Sequence, residues 1–148
     1  MNHSDAVRCV LREKGRQVFS VTPETSVYDA LALMAQREIG ALLVTTGEGR
    51  LCGLISERDY ARKVILQGRS SMDTSVEDIM SEGVVTVTPS HTIDECMKIM
   101  TELRIRHLPV MEGISVAGLV SMGDLVKYVI SAQLNEIEAL HAYIAGTY

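Results

Sequence analysis

One internal register constrains this chain more than any other feature. Thr22-Pro23 returns as Thr88-Pro89, an offset of 88 − 22 = 66. At the same offset Val27 returns as Ile93, Met34 as Met100, Ile39 as Ile105 and Val44 as Val110. One residue is then lost in a turn, and Gly53 and Asp59 match Gly118 and Asp124 at 118 − 53 = 65. Agreement at this many positions in one register marks a duplication. The shared unit ends on Gly53-Leu54-Ile55-Ser56-Glu57-Arg58-Asp59 and again on Gly118-Leu119-Val120-Ser121-Met122-Gly123-Asp124. The aliphatic run suits a buried strand, and Ser-x-x-Asp suits the first turn of a helix. Such a junction brings a hydroxyl, a carboxylate and free backbone N–H groups to one small space. The chain makes that space twice.

Taken in order, Val7, Val10, Leu11 and Lys14 fall at helical spacing, and Gly15 ends that helix. Val18-Phe19-Ser20-Val21 is an extended stretch that stops at Thr22-Pro23. Ser26 opens a helix with Val27, Ala30, Leu31, Met34 and Ala35 on one face. Ala41 to Val44 and Leu51 to Ile55 read as strands around a turn, and Glu57 to Leu66 as a helix closed around Gly68. Each unit is thus β-α-β-β-α and too small to fold well alone. The expected fold class is α/β, with two such repeats packed as a pseudo-twofold pair. The boundaries are an N-terminal helical extension at 1–17, repeats at 18–66 and 84–128, a connecting segment at 67–83, and a C-terminal helical extension at 129–148. Within the connector, Ser75 to Met80 predicts a short capped helix. The final helix, from Ser121 to about Ala145, carries Val126, Ile130, Leu134, Ile137, Leu140 and Ile144 in one stripe. That stripe covers either the protein's own core or a second subunit.

Composition narrows the function. A net charge of −5 argues against nucleic acid, and 4% aromatic residues with no Trp leave few stacking platforms for single strands. No segment approaches 18 uninterrupted apolar residues and the N-terminus has no apolar run, so neither a membrane span nor a signal peptide is expected. Cys9, Cys52 and Cys96 form no CxxC pair and read as reduced, buried thiols of a cytoplasmic protein. The histidines fall in no metal-like grouping, so no metal site is expected. No nucleophile–base pair or Walker-type phosphate loop is visible, which argues against an enzyme.

The duplicated V-x-T-V-x-P … G-h-h-S-x-x-D unit, with Arg106-His107-Leu108-Pro109-Val110 leading into the second motif, resembles the cystathionine-β-synthase (CBS) domain. The resemblance is to a tandem pair, as in stand-alone bacterial CBS-pair proteins, and covers about 18–128. It implies two ligand clefts between the repeats. Such clefts take adenosine nucleotides, AMP foremost, with ADP, ATP, NAD(H) or S-adenosylmethionine in some members. It also implies dimers, a regulatory role rather than catalysis, and an unknown regulated partner protein.

On that resemblance Asp59 and Asp124 are ribose-binding aspartates. An ionised carboxylate only accepts hydrogen bonds, and a ribose cis-diol offers two O–H donors. The alternative is that Ser56-x-x-Asp59 and Ser121-x-x-Asp124 are only capping boxes, as Ser26-x-x-Asp29, Thr92-x-x-Glu95 and Ser75-x-x-Asp78 are expected to be. Arg106 and His107 stand where the family often places phosphate contacts, and both carry suitable donors. The alternative there is a solvated turn with Glu102 paired to Arg106. One cleft is therefore expected on Arg106, His107, Pro109, Ser121 and Asp124, with Lys14 and Val18 at its adenine end. A second, weaker cleft is expected on Ser56 and Asp59. Arg58, Arg62, Lys63 and Arg69 form a basic cluster after the first motif, where Asp59 faces Arg62 and Lys63 at helical spacing. The rival reading of the whole chain is a scaffold with no bound nucleotide.

Overall fold

The computed structural model describes residues 4–15 and 17–146. Helix α1 (Val7–Lys14) leads into β1 (Ser20–Val21), α2 (Val27–Arg37), β2 (Ala41–Thr45), β3 (Leu51–Ser56) and α3 (Glu57–Tyr60). A connector holding a short 3-10 turn, Val76–Asp78, is followed by α4 (Ile93–Leu103), β4 (His107–Glu112), β5 (Ser115–Ser121) and α5 (Met122–Ala145). Strand β2 pairs with β1 in parallel and with β3 antiparallel, and β4 pairs antiparallel with β5.

The duplication is visible in the backbone. Val21 pairs with Val44, and 66 residues later (87 − 21, 110 − 44) Val87 bridges Val110. The expected first strand of the second repeat is thus reduced to that bridge, and in the first repeat only Ser20–Val21 of the Val18–Val21 stretch pairs. Both hairpins shift register at the same place, between Val44 and Thr45 and between Val110 and Met111. Helices α2 and α4 both end on a left-handed residue, Glu38 and Arg104, each with φ 55°.

The flanking segments obey the same symmetry, and they decide how the cores close. Val7 N–H donates to His91 O and Ile93 N–H to Asp5 O, at 2.7 and 2.9 Å. Val76 N–H donates to Thr25 O and Val27 N–H to Thr74 O, both at 2.8 Å. Helix α1 therefore serves the second repeat as the connector serves the first. Val7, Val10 and Leu11 are buried with Ile93, Met100, Leu108, Val120 and Leu125, while Val76 and Ile79 are buried with Val27, Met34, Leu42 and Ile55. The motif glycines make room for these covers. A Cβ at Gly118 would stand 2.6 Å from Leu11 Cδ2, and one at Gly53 would stand 2.5 Å from Met80 Sδ. Both lie far inside ordinary carbon contact, so neither repeat tolerates a side chain there without moving its cover.

Several local expectations change. The helix after Asp59 is α only to Tyr60 and continues as a π-helical turn, Ala61–Ile65, in which Leu66 N–H reaches Ala61 O at 3.2 Å. The wider turn keeps Val64 buried while Lys63 Nζ donates to Ile79 O at 2.9 Å. Ser26 accepts from Asp29 N–H, but the reciprocal bond is absent; Thr92 carries a complete capping box, and at Ser75 the N–H and Oγ both donate to Asp78 Oδ2 while Asp78 N–H donates to Ser75 O. Ala35 is exposed rather than on the buried face of α2. Of the three thiols only Cys96 is fully buried, and burial pushes it up to about 11; Cys9 and Cys52 are half-buried.

Helix α5 settles the question its stripe raised about the core. Leu125 is buried, with Met122, Tyr128 and Val129 packed beside it, and Tyr128 Oη donates to Asp5 Oδ2 at 2.8 Å. Val126, Ile130, Leu134, Ile137, Leu140 and Ile144 are instead 42–79% exposed. This chain leaves the stripe largely uncovered. No described helix is long and apolar enough to cross a membrane.

Candidate functional site: two clefts crossed between the repeats

Each β–α junction ends in the same small device. At the first, Ser56 N–H donates to Asp59 Oδ2 at 2.9 Å and Asp59 N–H to Ser56 Oγ at 3.3 Å. At the second, Ser121 N–H donates to Asp124 Oδ2 at 2.8 Å and Asp124 N–H to Ser121 Oγ at 3.1 Å. Both are complete capping boxes, so the capping reading holds for both aspartates. It does not exhaust them. Each box uses Oδ2, and a carboxylate offers about four lone-pair positions over its two oxygens.

A cleft of about 650 Å³ opens over Ser56, Arg58 and Asp59, and its far wall is Arg104, Ile105, Arg106 and His107 from the turn between α4 and β4. A smaller one of about 370 Å³ opens over Ser121 and Asp124, facing Glu38 to Ala41 from the turn between α2 and β2, with Lys14 and Val18 at its rim. The two are related by the duplication, since 104 − 66 = 38 and 107 − 66 = 41. Each cleft is therefore crossed: the carboxylate of one repeat faces the helix-to-strand turn of the other. Gly40 and His107 border both. Arg58 Nη1 donates to Arg104 O at 3.3 Å across the larger cleft.

This crossing regroups the expected site residues. Arg106 lies with Ser56 and Asp59, not with Ser121 and Asp124, because the second repeat's turn faces the first repeat's junction. His107 is the one member of the expected pair that reaches the Asp124 cleft. Lys14 and Val18 line that cleft with Ser121 and Asp124. Pro109 lines neither; it is buried in β4, opposite Leu119, and its carbonyl accepts from Val87 N–H at 3.0 Å. Arg62 and Arg69 also line neither, while Lys63 Nζ sits 3.3 Å from Asp59 Oδ1. Glu102 pairs with Lys98 at 4.0 Å instead of with Arg106.

The two clefts differ in charge at equivalent positions. Arg58, Arg104 and Arg106 line the larger; by the repeat offset they correspond to Gly123, Glu38 and Gly40, of which Glu38 and Gly40 line the smaller. In the smaller cleft Lys14 Nζ donates to Asp124 Oδ2 at 2.6 Å and to Leu119 O at 2.7 Å. Burial pushes the Asp124 carboxyl up, but the Lys14 ammonium and the Ser121 N–H outweigh it and hold it below its ordinary value. Burial pushes His107 down, and Lys14 and Arg106 add to that against the pull of Asp124. These surroundings favour the neutral form of the imidazole shared by the clefts. Among the described residues no group of His, Cys, Asp or Glu is able to hold a metal ion.

Arg104 and Glu38 escaped the sequence reading. Their one signal was the repeat offset, which sets them opposite each other at the left-handed ends of α4 and α2. Arg58 was grouped with a basic cluster of which Arg62 and Arg69 do not line the cleft, while Lys63 pairs with Asp59.

Comparison with known proteins bears on this arrangement. A CBS domain family profile matches residues 9–65 and again 76–131. Both matches begin in the covering segments, α1 and the connector. The chain is 42% identical over 153 aligned positions to the CBS domain-containing protein CBSX3, mitochondrial, of Arabidopsis thaliana, spanning 98% of this chain and 74% of that protein. A solved structure from Burkholderia ambifaria, described as a signal-transduction protein with CBS domains, superposes with a TM-score of 0.84 at 52% identity, over 87% of this chain and 96% of that one. The CBS domain pair of protein MJ0100, solved with 5′-methylthioadenosine and S-adenosyl-L-methionine, shares the fold with a TM-score of 0.77 at 22% identity, over 86% and 98% of the two chains.

Proposed function

The chain belongs to the CBS domain family, and on that premise we propose that it senses an adenosine nucleotide, AMP foremost, in its crossed clefts. Its role is regulatory rather than catalytic, as in relatives built of CBS domains alone. We read it as a cytoplasmic homodimer that passes cleft occupancy on to a partner protein. ADP, ATP and NAD(H) belong to the same ligand class.

The observation that carries this reading is the capped carboxylate on each cleft floor. Asp59 and Asp124 are held rigidly by their boxes, with lone pairs left for the two hydroxyls of a ribose. The adenosine ligands of the MJ0100 pair support the class of ligand. Arg58, Arg104 and Arg106 make the Asp59 cleft the tighter site for a ligand that bears phosphate. A charge-assisted bond is worth roughly 1.5–3 kcal/mol, or about ten- to a hundred-fold in affinity. A scaffold role is favoured by the lysines already paired with both carboxylates, Lys14 with Asp124 and Lys63 with Asp59.

Calorimetric titration of AMP into wild type, Asp59→Ala and Asp124→Ala tests both points. The expected result is a high-affinity phase that Asp59→Ala removes. No heat and no thermal shift with AMP, ADP, ATP or NADH would leave the scaffold. Loss of the tight phase in Asp124→Ala but not in Asp59→Ala would reverse the assignment of the clefts.

A further inference from the structure

We propose that the C-terminal half of α5 packs lengthwise, parallel and in register, on the same helix of a second copy of this chain. The inference deepens the homodimer read above and rests on it. Three observations carry it.

The first is periodicity. Ile130, Ile137 and Ile144 recur every seven residues (137 − 130, 144 − 137), and Val126, Gln133 and Leu140 recur on a second row of seven (133 − 126, 140 − 133). The rows alternate by four and three, which is the a/d seam of a coiled coil. Around Leu140 the seam has isoleucine at a with leucine at d, the combination that favours two strands. The second is exposure. The side of α5 that meets the body, Leu125, Tyr128 and Val129, is spent on the core beside α1 and α4. The seam lies on another side, with Ile137 50%, Leu140 59% and Ile144 79% exposed.

The third observation selects the occupant. With isoleucines at a, Glu136 falls at g and His141 at e, five residues on. In a parallel pair g of one helix sits beside e of the other, so each carboxylate meets an imidazole, twice by symmetry. An antiparallel pair sets g beside g and loses the match. An unrelated partner helix has no cause to satisfy these conditions; a second copy satisfies all of them.

Disulfide trapping in the full chain tests the geometry. The introduced thiols of Leu140→Cys face each other only in a parallel, in-register pair, whereas Glu138→Cys lies on the outer face. Mild oxidation is expected to convert Leu140→Cys to a dimer on a non-reducing gel, reversibly by dithiothreitol, while wild type and Glu138→Cys stay unlinked. Ile137→Asp, at an exposed position, is expected to keep the circular dichroism of wild type and weaken dimerisation by about tenfold or more. A single wild-type species near 16.2 kDa in sedimentation overturns the homodimer and the helix pair together. A species near 2 × 16.2 = 32.4 kDa that Ile137→Asp leaves intact, or that Leu140→Cys does not trap, overturns the helix pair alone.

Discussion

Gly118→Ala is expected to loosen the N-terminal helix from the second repeat. The added Cβ would stand 2.6 Å from Leu11 Cδ2, 3.1 Å from Cδ1 and 3.4 Å from Cγ. Carbon atoms in good contact are about 3.5–4.0 Å apart, so Leu11 must retreat by roughly 1 Å. It has little room to do so, being 1% exposed and enclosed by Val7, Val10 and the sheet. Overpacking of this kind costs about 1–3 kcal/mol. Replacing a strand glycine returns roughly 0.5–1 kcal/mol of backbone entropy, which leaves a net loss of about 0–2.5 kcal/mol. For a chain of this size the upper end lowers Tm by up to about 10 °C. Leu11→Ala alone should cost about 2–5 kcal/mol through the cavity it opens. In the double variant the new methyl group partly fills that cavity, so the two losses should fall short of their sum by at least about 1 kcal/mol. Urea unfolding of the four proteins reads this coupling directly. Additivity within about 0.5 kcal/mol would refute the close approach of α1 to Gly118.

Gly53→Ala should be more damaging than Gly118→Ala, because its Cβ meets the Ser81 carbonyl at 3.0 Å as well as Met80, and backbone yields less than a side-chain end; equal or smaller loss of Tm counts against it. The Asp124 carboxyl is held below its ordinary 3.8, so its contribution is complete above about pH 4 and is lost as pH falls through the lowered value. Lys14→Met removes one cause of that lowering and should flatten the acid limb of Tm against pH, and an unchanged limb would show that Lys14 does not set it.

The repeats, their order and the capping chemistry were legible because they are local. A seven-residue motif, a Ser-x-x-Asp spacing and a register of 66 each survive in one dimension. What failed was adjacency between repeats. Arg106 precedes β4, so the sequence joins it naturally to Ser121 and Asp124, which follow β5 of the same repeat. The pairing of His107 with Ser121 in the sheet is indeed local to that repeat. Yet Arg106 lines the cleft over the other repeat's junction, and no spacing along the chain reports that. Helix α1 was misleading for a related reason. Its apolar face, Val7, Val10 and Leu11, predicts a helix but not which repeat it covers. The answer lay in Gly118, whose missing side chain makes sense only once Leu11 is seen against it.

The same crossing joins the two proposals mechanically. Asp124 caps α5 at its first turn and stands on the floor of one cleft, while the a/d seam occupies the far end of that helix. One element of 24 residues, about 36 Å long, thus runs from the proposed nucleotide site to the proposed contact with a second copy. Lys14 ties the start of this helix to α1, and Tyr128 ties its second turn to Asp5 just before α1. A ribose that takes over lone pairs of Asp124 competes with Lys14 for the carboxylate that holds these segments together. Whatever tilt of α5 follows is carried along the helix to the seam, where the registry of two helices is sensitive to it. Thermodynamic reciprocity then requires that dimerisation change nucleotide affinity by the same factor as nucleotide changes dimerisation.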